Sequence, residues 1–133
     1  MVWTLRRPQL LPKLLDHYAT GSIPSLRRIV LMWHDNMTKP DETLLNSFTQ
    51  YTVPIVLEHR VRSLNERFRR SASIDTACVL SIDDDRLYSH EDIEMGFEAW
   101  KEYGGGRKRM VGYYPREISE DKHYLWAGFT SYR

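Results

Sequence analysis

A chain of 133 residues, 41% hydrophobic and 12% aromatic, can bury one modest core, and its composition excludes a disordered, collagenous or disulfide-stapled protein. Its 19 basic and 18 acidic residues leave a formal net charge of +1, which argues against a general nucleic-acid binder working by phosphate neutralisation. Cys78 is the single cysteine, so no intrachain disulfide and no cysteine-based zinc site can form, and no apolar run in the sequence is long enough for a signal peptide or a membrane span.

Strand-like apolar runs alternate with amphipathic stretches along the whole chain, the pattern of an α/β domain. Met1-Val-Trp3 is the candidate first strand. A first helix is expected from Pro8 to Ala19, where Leu10, Leu11, Leu14, Leu15 and Tyr18 recur at helical spacing and Gly21 follows as a stop. Arg28-Ile-Val-Leu-Met-Trp33 reads as a strand covered on both faces, ending in polar His34-Asp35-Asn36. A second helix is expected from Pro40 to Phe48, with Thr38 or Asp41 near its start, followed by a strand over Val53–Leu57.

Ser63 to Arg70 reads as a helix with Leu64 and Phe68 on one side, and Ala77-Cys-Val-Leu-Ser-Ile82 as the clearest buried strand. From His90 to Tyr103 comes the clearest helix, with Ile93, Phe97 and Trp100 on one stripe, Met95 near the core, Ser89 available as a cap and Gly104-Gly-Gly106 as its end. Arg109–Tyr114 and His123–Trp126 are the last strand candidates, and all strands together suggest one open mixed sheet.

The chemistry concentrates after the strand at Ala77–Ile82, which runs into Asp83-Asp84-Asp85. Open α/β sheets bind ligands at the carboxyl ends of their strands. Alternation along an extended chain turns Asp83 and Asp85 to one side and Asp84 to the other, and a pair of carboxylates so spaced suits a hard divalent cation bridging to phosphate. The same residues also read as a solvated turn. Three adjacent carboxylates repel one another unless they are exposed or balanced by positive charge. Arg60, Arg62, Arg67, Arg69 and Arg70 could form a phosphate-facing patch or a solvated helix face, and His90, Glu91, Asp92 and Glu94 read better as helix-start residues than as metal ligands.

The order and spacing of Ala77-Cys-Val-Leu-Ser-Ile-Asp-Asp-Asp85, Phe97-Glu-Ala-Trp100 and Arg109-Met-Val-Gly-Tyr-Tyr-Pro-Arg116 resemble the exostosin-like glycosyltransferase domain, family 64. Leu14-Leu-Asp-His-Tyr18, Ile23-Pro-Ser-Leu-Arg-Arg-Ile-Val30 with Trp33, and Ser63-Leu-Asn-Glu-Arg-Phe68 extend the likeness over nearly the whole chain. The resemblance implies a GT-A (Rossmann-like) fold, here a partial single domain over 1–133 truncated at both ends. It implies a retaining glycosyltransferase with a nucleotide-diphosphate sugar donor, typically a UDP-N-acetylhexosamine, a Mn²⁺ or Mg²⁺ cofactor and a glycan or glycolipid acceptor.

By the same resemblance Asp85 ligates the metal, Asp83 lies near the ribose and Asp84 supports the site. Arg7 and Arg67 approach the nucleotide, and His34 and Asp35 stand where the family usually has asparagines near the base. Arg62 stands where the family commonly has an asparagine. The catalytic carboxylate and arginine, with the acceptor surface, are expected beyond Arg133, so the isolated chain is expected to have little activity, and a noncatalytic nucleotide- or partner-binding module is the alternative. Family members act in the Golgi or ER lumen behind a membrane anchor, and a luminal location is inherited from the resemblance.

Overall fold

Five consecutive buried residues, Ile29–Trp33, form a strand (β2), and a strand buried along its whole length needs a neighbour on each edge and cover on each face. It has both in the computed structural model, which describes residues 1–5, 7–35, 39–59, 63–104, 110–113, 116–121 and 124–126. On one side lies β1 (Val2–Thr4), with Val2 opposite Leu31 and Thr4 opposite Trp33; on the other lies β3 (Ile55–His59), with Ile55 opposite Ile29. A two-residue β4 (Ile82–Asp83) pairs with the far edge of β1, so the order is β3-β2-β1-β4 and every pairing is parallel. After β3 the chain therefore crosses to the opposite side of β1. That reversal makes the carboxyl ends of β1 and β4 the topological switch point of the sheet.

One face of the sheet presents Val2, Ile29, Leu31, Trp33 and Ile82 to α1 (Leu11–Tyr18) and α2 (Glu42–Ser47). α1 turns Leu11, Leu14, Leu15 and Tyr18 inward at helical spacing, all at most 3% exposed. Each such burial stabilises the fold by about 1.5–3 kcal/mol. A 3-10 turn at Pro8–Leu10 leads into α1, with Pro8 at the position where a missing N–H costs nothing. Gly21, at φ +87°, makes the left-handed turn that ends the helical segment. Asp41 caps α2 by accepting a hydrogen bond from the Leu44 amide at 2.7 Å; Thr38, the other candidate cap, lies outside the described residues. The opposite face of the sheet carries a smaller cluster of Trp3, Val30 and Met32, flanked by Met1 and Ile74.

The α/β class with an open sheet flanked by helices is thus observed, with several differences in detail. Ala77–Ser81 is not in a strand, and Ala77, Val79 and Ser81 are exposed while Ile82 is buried. The register confines the ladder to the end of this run: Val2 sits opposite Ile82 and Trp3 opposite Asp83, while Met1 bonds Ile82 and Leu80. Ser63–Arg70 forms only a 3-10 helix at Leu64–Phe68, whose three residues per turn take Phe68 out of line with position 64, and Phe68 is 74% exposed. The strands at Val53–Leu57 and Pro40–Phe48 helix are shifted to Ile55–His59 and Glu42–Ser47, the latter running on into a 3-10 turn at Phe48–Gln50.

The chain separates into two compact units, Met1–Glu94 and Met95–Arg133. α3 (His90–Ala99) begins in the first, where the Ser89 hydroxyl accepts from the Asp92 amide and Ile93 joins the main core. In the second unit the helix continues into a π-type turn at Trp100–Gly104, Phe97 stacks on Trp100 at 6.0 Å, and Lys101 lies over Phe97. Met95 is 61% exposed rather than near the core. The strand expected over Arg109–Tyr114 is absent from its described part, Met110–Tyr113. Met110 and Val111 are exposed and Tyr113 packs directly on Gly96, where a Cβ would meet its hydroxyl.

Pairing occurs later, between β5 (Arg116–Ile118) and β6 (Tyr124–Trp126), antiparallel and in a sheet of their own. No helix among the described residues is long and apolar enough to cross a membrane.

Candidate functional site

The acidic triplet turns over at the end of β4: the Asp84 amide still bonds the Trp3 carbonyl at 3.1 Å as the ladder finishes, and the Arg86 amide closes a turn on the Asp83 carbonyl at 3.2 Å. The turn reading of these residues is correct for the backbone; the expected grouping of Asp83 with Asp85 is not observed, because the turn begins at Asp84 and leaves Asp84 and Asp85 on one arginine and Asp83 on another. Asp83 and Asp85 have side chains 52% and 46% exposed, whereas that of Asp84 is fully buried.

Arginines balance the three carboxylates. Arg7, three residues after the end of β1 and just before the turn at Pro8, forks across two of the three: Nη2 donates to Asp84 Oδ1 at 2.5 Å and Nη1 to Asp85 Oδ2 at 2.9 Å. Its pKa is raised by the hydrogen bond to Asp85 and by the charge of Asp84. Arg67 donates to Asp83 Oδ1 at 2.9 Å, and Arg86 Nε lies 3.9 Å from Asp85. Burial pushes the Asp84 carboxyl above its usual range, opposed by the nearby Thr4 hydroxyl and by Arg7. Thr4 Oγ1 and Asp84 Oδ2 are nonetheless both buried without a hydrogen bond of ordinary geometry.

A second line of contacts runs along the same carboxyl edge on the other face. Trp3 is 4% exposed and stands opposite Asp83 in the β1–β4 register; the Arg67 guanidinium lies 5.1 Å from its ring centroid, and His34 meets its edge at 5.6 Å. The His34 amide bonds the Thr4 carbonyl at 3.0 Å, so the ends of β1 and β2 advance together. Asp35 follows, buried.

The structure thus brings Arg7, Asp84 and Asp85 into one contact group, and Arg67, Asp83 and His34 into another through Trp3, all at the carboxyl edge of the sheet. Asp35 sits at that edge beside His34 in sequence. Arg60 and Arg62 lie outside the described residues, as does His123. Arg69 pairs with Glu66 instead of facing the triplet. Among the described residues, no three His, Cys, Asp or Glu side chains are grouped closely enough to hold a metal ion by themselves. Any cation here would depend on one or two carboxylates together with oxygens from a ligand.

Sequence reasoning missed the residues that fix the turn after the triplet. The Tyr18 hydroxyl accepts from the Tyr88 amide at 2.7 Å and donates to the Arg86 carbonyl at 3.2 Å. His17 Nε2 donates to the Tyr88 carbonyl at 2.7 Å, and His90 Nε2 donates to the His17 carbonyl at 2.8 Å, with the imidazoles 4.7 Å apart. The end of α1 therefore holds the loop that follows the acids. His17-Tyr18 after a leucine pair was the available signal, but spacing alone does not say what a polar helix end will bind. Trp3 was legible only as a strand residue, and Thr4 fell outside the expected strand.

Comparison with known proteins supports a single assignment. The model of the glycosyl transferase family 64 domain matches residues 1–132. Exostosin-like 2 of Mus musculus is 29% identical over 129 residues, covering 95% of this chain and 38% of that protein. Glucosamine inositolphosphorylceramide transferase 1 of Oryza sativa subsp. indica is 37% identical over 108 residues, 80% of this chain and 13% of the relative. Exostosin-2 of Mus musculus is 32% identical over 96 residues, 70% of this chain and 12% of its own length. The chain thus spans well under half the length of each of these relatives.

Proposed function

The chain belongs to the glycosyl transferase family 64, and from that membership we propose that the carboxyl edge of β1 and β4 binds the diphosphate of a nucleotide-sugar donor with a divalent cation, in the service of glycosyl transfer. The observation that carries the reading is the meeting of three carboxylates and three guanidiniums at the topological switch point of a parallel sheet.

The donor chemistry suits Mn²⁺ or Mg²⁺. Asp83 and Asp85 are hard oxygen ligands with half-exposed side chains, and such ions commonly combine one or two carboxylates with phosphate oxygens and water. Asp85 is the proposed ligand. When bound, the cation supplies charge that favours the diphosphate as a leaving group. Arg7 and Arg67 offer N–H donors to the diphosphate and ribose, Asp83 accepts from a ribose hydroxyl, and His34 and Asp35 meet the base. Asp84, buried under Arg7, holds that arginine in place, which is a supporting role rather than direct contact with the nucleotide.

For the sugar, the name glucosamine inositolphosphorylceramide transferase speaks, in that relative, of an amino sugar and a ceramide lipid. For this chain we propose the same class: a UDP-N-acetylhexosamine donor, a glycan or glycolipid acceptor, transfer with retention, and a site of action in the lumen of the secretory pathway.

Calorimetric titration with UDP and GDP, with and without Mn²⁺, tests the reading on the wild-type chain and on Asp83→Ala/Asp85→Ala. Expected is UDP binding that requires Mn²⁺ and is abolished in the double variant. A folded wild-type chain that binds neither nucleotide would refute the proposed site.

A further inference from the structure

The two acceptors of the Arg7 fork are unequal. The Asp84 side chain is fully buried and its Oδ2 has no hydrogen-bond partner, so an Arg7 that let go of Oδ1 would strand a buried carboxylate. The Asp85 side chain is 46% exposed, and water can replace Arg7 on it at little cost. Arg7 is thus pivoted on Asp84 by one nitrogen, while its other nitrogen rests on a carboxylate that can be surrendered. That second carboxylate is the proposed cation ligand.

We infer that Arg7 is a counter-ion latch: its Nη1 occupies Asp85 while the site holds no nucleotide, and it yields Asp85 to the incoming cation and takes a diphosphate oxygen instead, keeping its hold on Asp84 throughout. This rests on the proposed donor site. The latch makes a divalent cation and Nη1 competitors for Asp85, so the cation alone binds weakly. A nucleotide diphosphate relieves the competition by giving Nη1 a new acceptor, and cation and nucleotide therefore bind cooperatively, each raising the affinity of the other by the same factor. The chain would distinguish a cation arriving with its diphosphate from the free ion.

The test measures Mn²⁺ binding by loss of the free-ion electron paramagnetic resonance signal, with and without saturating UDP, on the full chain. Arg7→Met removes the latch. Because it also unpairs buried Asp84, the double variant Arg7→Met/Asp84→Asn is measured beside it, neutralising the stranded carboxylate and preserving the fold. Without UDP, the latch requires Mn²⁺ affinity to rise about twofold to fivefold in either variant, and UDP to strengthen Mn²⁺ binding less than it does in the wild type. If the wild type binds UDP with Mn²⁺ while Mn²⁺ affinity without UDP is unchanged or reduced in both variants, the latch is wrong and the donor site stands. If the wild type binds no UDP at any Mn²⁺ concentration, the donor site and the latch fail together.

Discussion

Replacing Tyr18 by phenylalanine removes one oxygen from the structure and leaves the ring that packs in the core. That oxygen accepts from the Tyr88 amide at 2.7 Å and donates to the Arg86 carbonyl at 3.2 Å, and its residue is 3% exposed. Two hydrogen bonds of ordinary worth amount to about 1–3 kcal/mol. Arg86 is exposed and Tyr88 only half-buried, so water recovers part of this and the lower half of the range is expected. Urea unfolding at pH 7 should show Tyr18→Phe less stable by about 1–2 kcal/mol, with weaker UDP binding because the loop after the acidic turn is released.

The pH dependence provides a second check. Burial holds the Tyr18 phenol above its usual pKa of 10.0. A raised pKa in the folded state gives stability that is complete below the unfolded value and is lost as pH rises through the folded one. The difference between wild type and variant should therefore be constant from pH 7 to 9 and narrow above 10. An unchanged stability at pH 7, or a difference that widens in alkali, would refute the assignment of Tyr18 as the anchor of this loop.

Asp84→Asn keeps an acceptor for Arg7 and sets an amide beside the orphaned Thr4 hydroxyl, so thermal unfolding at pH 7 should show stability retained or raised by up to about 2 kcal/mol; a clear loss of stability would contradict the placement of Asp84 as a desolvated support. Asp41→Ala removes the cap on the Leu44 amide and should cost about 0.5–2 kcal/mol in urea, with UDP affinity unaltered. Gly21→Ala forces a side chain into a left-handed turn with its Cβ 3.1 Å from Thr52 Cγ2, and a loss of about 1–2 kcal/mol in the same assay is expected.

Local pattern carried much of this fold. β2 announces itself because five apolar residues in a row can be satisfied only in the middle of a sheet, and α1 because its leucines fall on one stripe. What periodicity could not supply is pairing. Ala77–Ile82 is as apolar as β2, yet strand character depends on a partner from elsewhere in the chain, and the register leaves only Ile82 and Asp83 in the ladder. The same non-local dependence hid the strand order, and with it the reason why the triplet lies beside the end of β1.

The candidate site divides along similar lines. Three aspartates after an apolar run are visible in the sequence, but which of them is buried depends on the turn that begins at Asp84. Their arginine partners are not: Arg7 meets Asp84 across 77 residues, and no spacing rule connects them. Arg7 is marked by the family resemblance alone and Arg67 also by its arginine-rich surroundings, while Trp3, whose ring joins Arg67 to His34, looks like any strand residue.

Amide chemical-shift mapping locates the nucleotide on the sheet. UDP is titrated with Mg²⁺ as a diamagnetic cation into the isotopically labelled chain. Donor binding at the acidic turn should move Thr4, Leu5, Arg7, His34, Asp35, Arg67 and Asp83–Arg86, with Gly21, Ser22 and the Ile29 end of β2 unmoved. Saturable shifts centred on that opposite edge of the sheet, with the acidic turn unaffected, would contradict it.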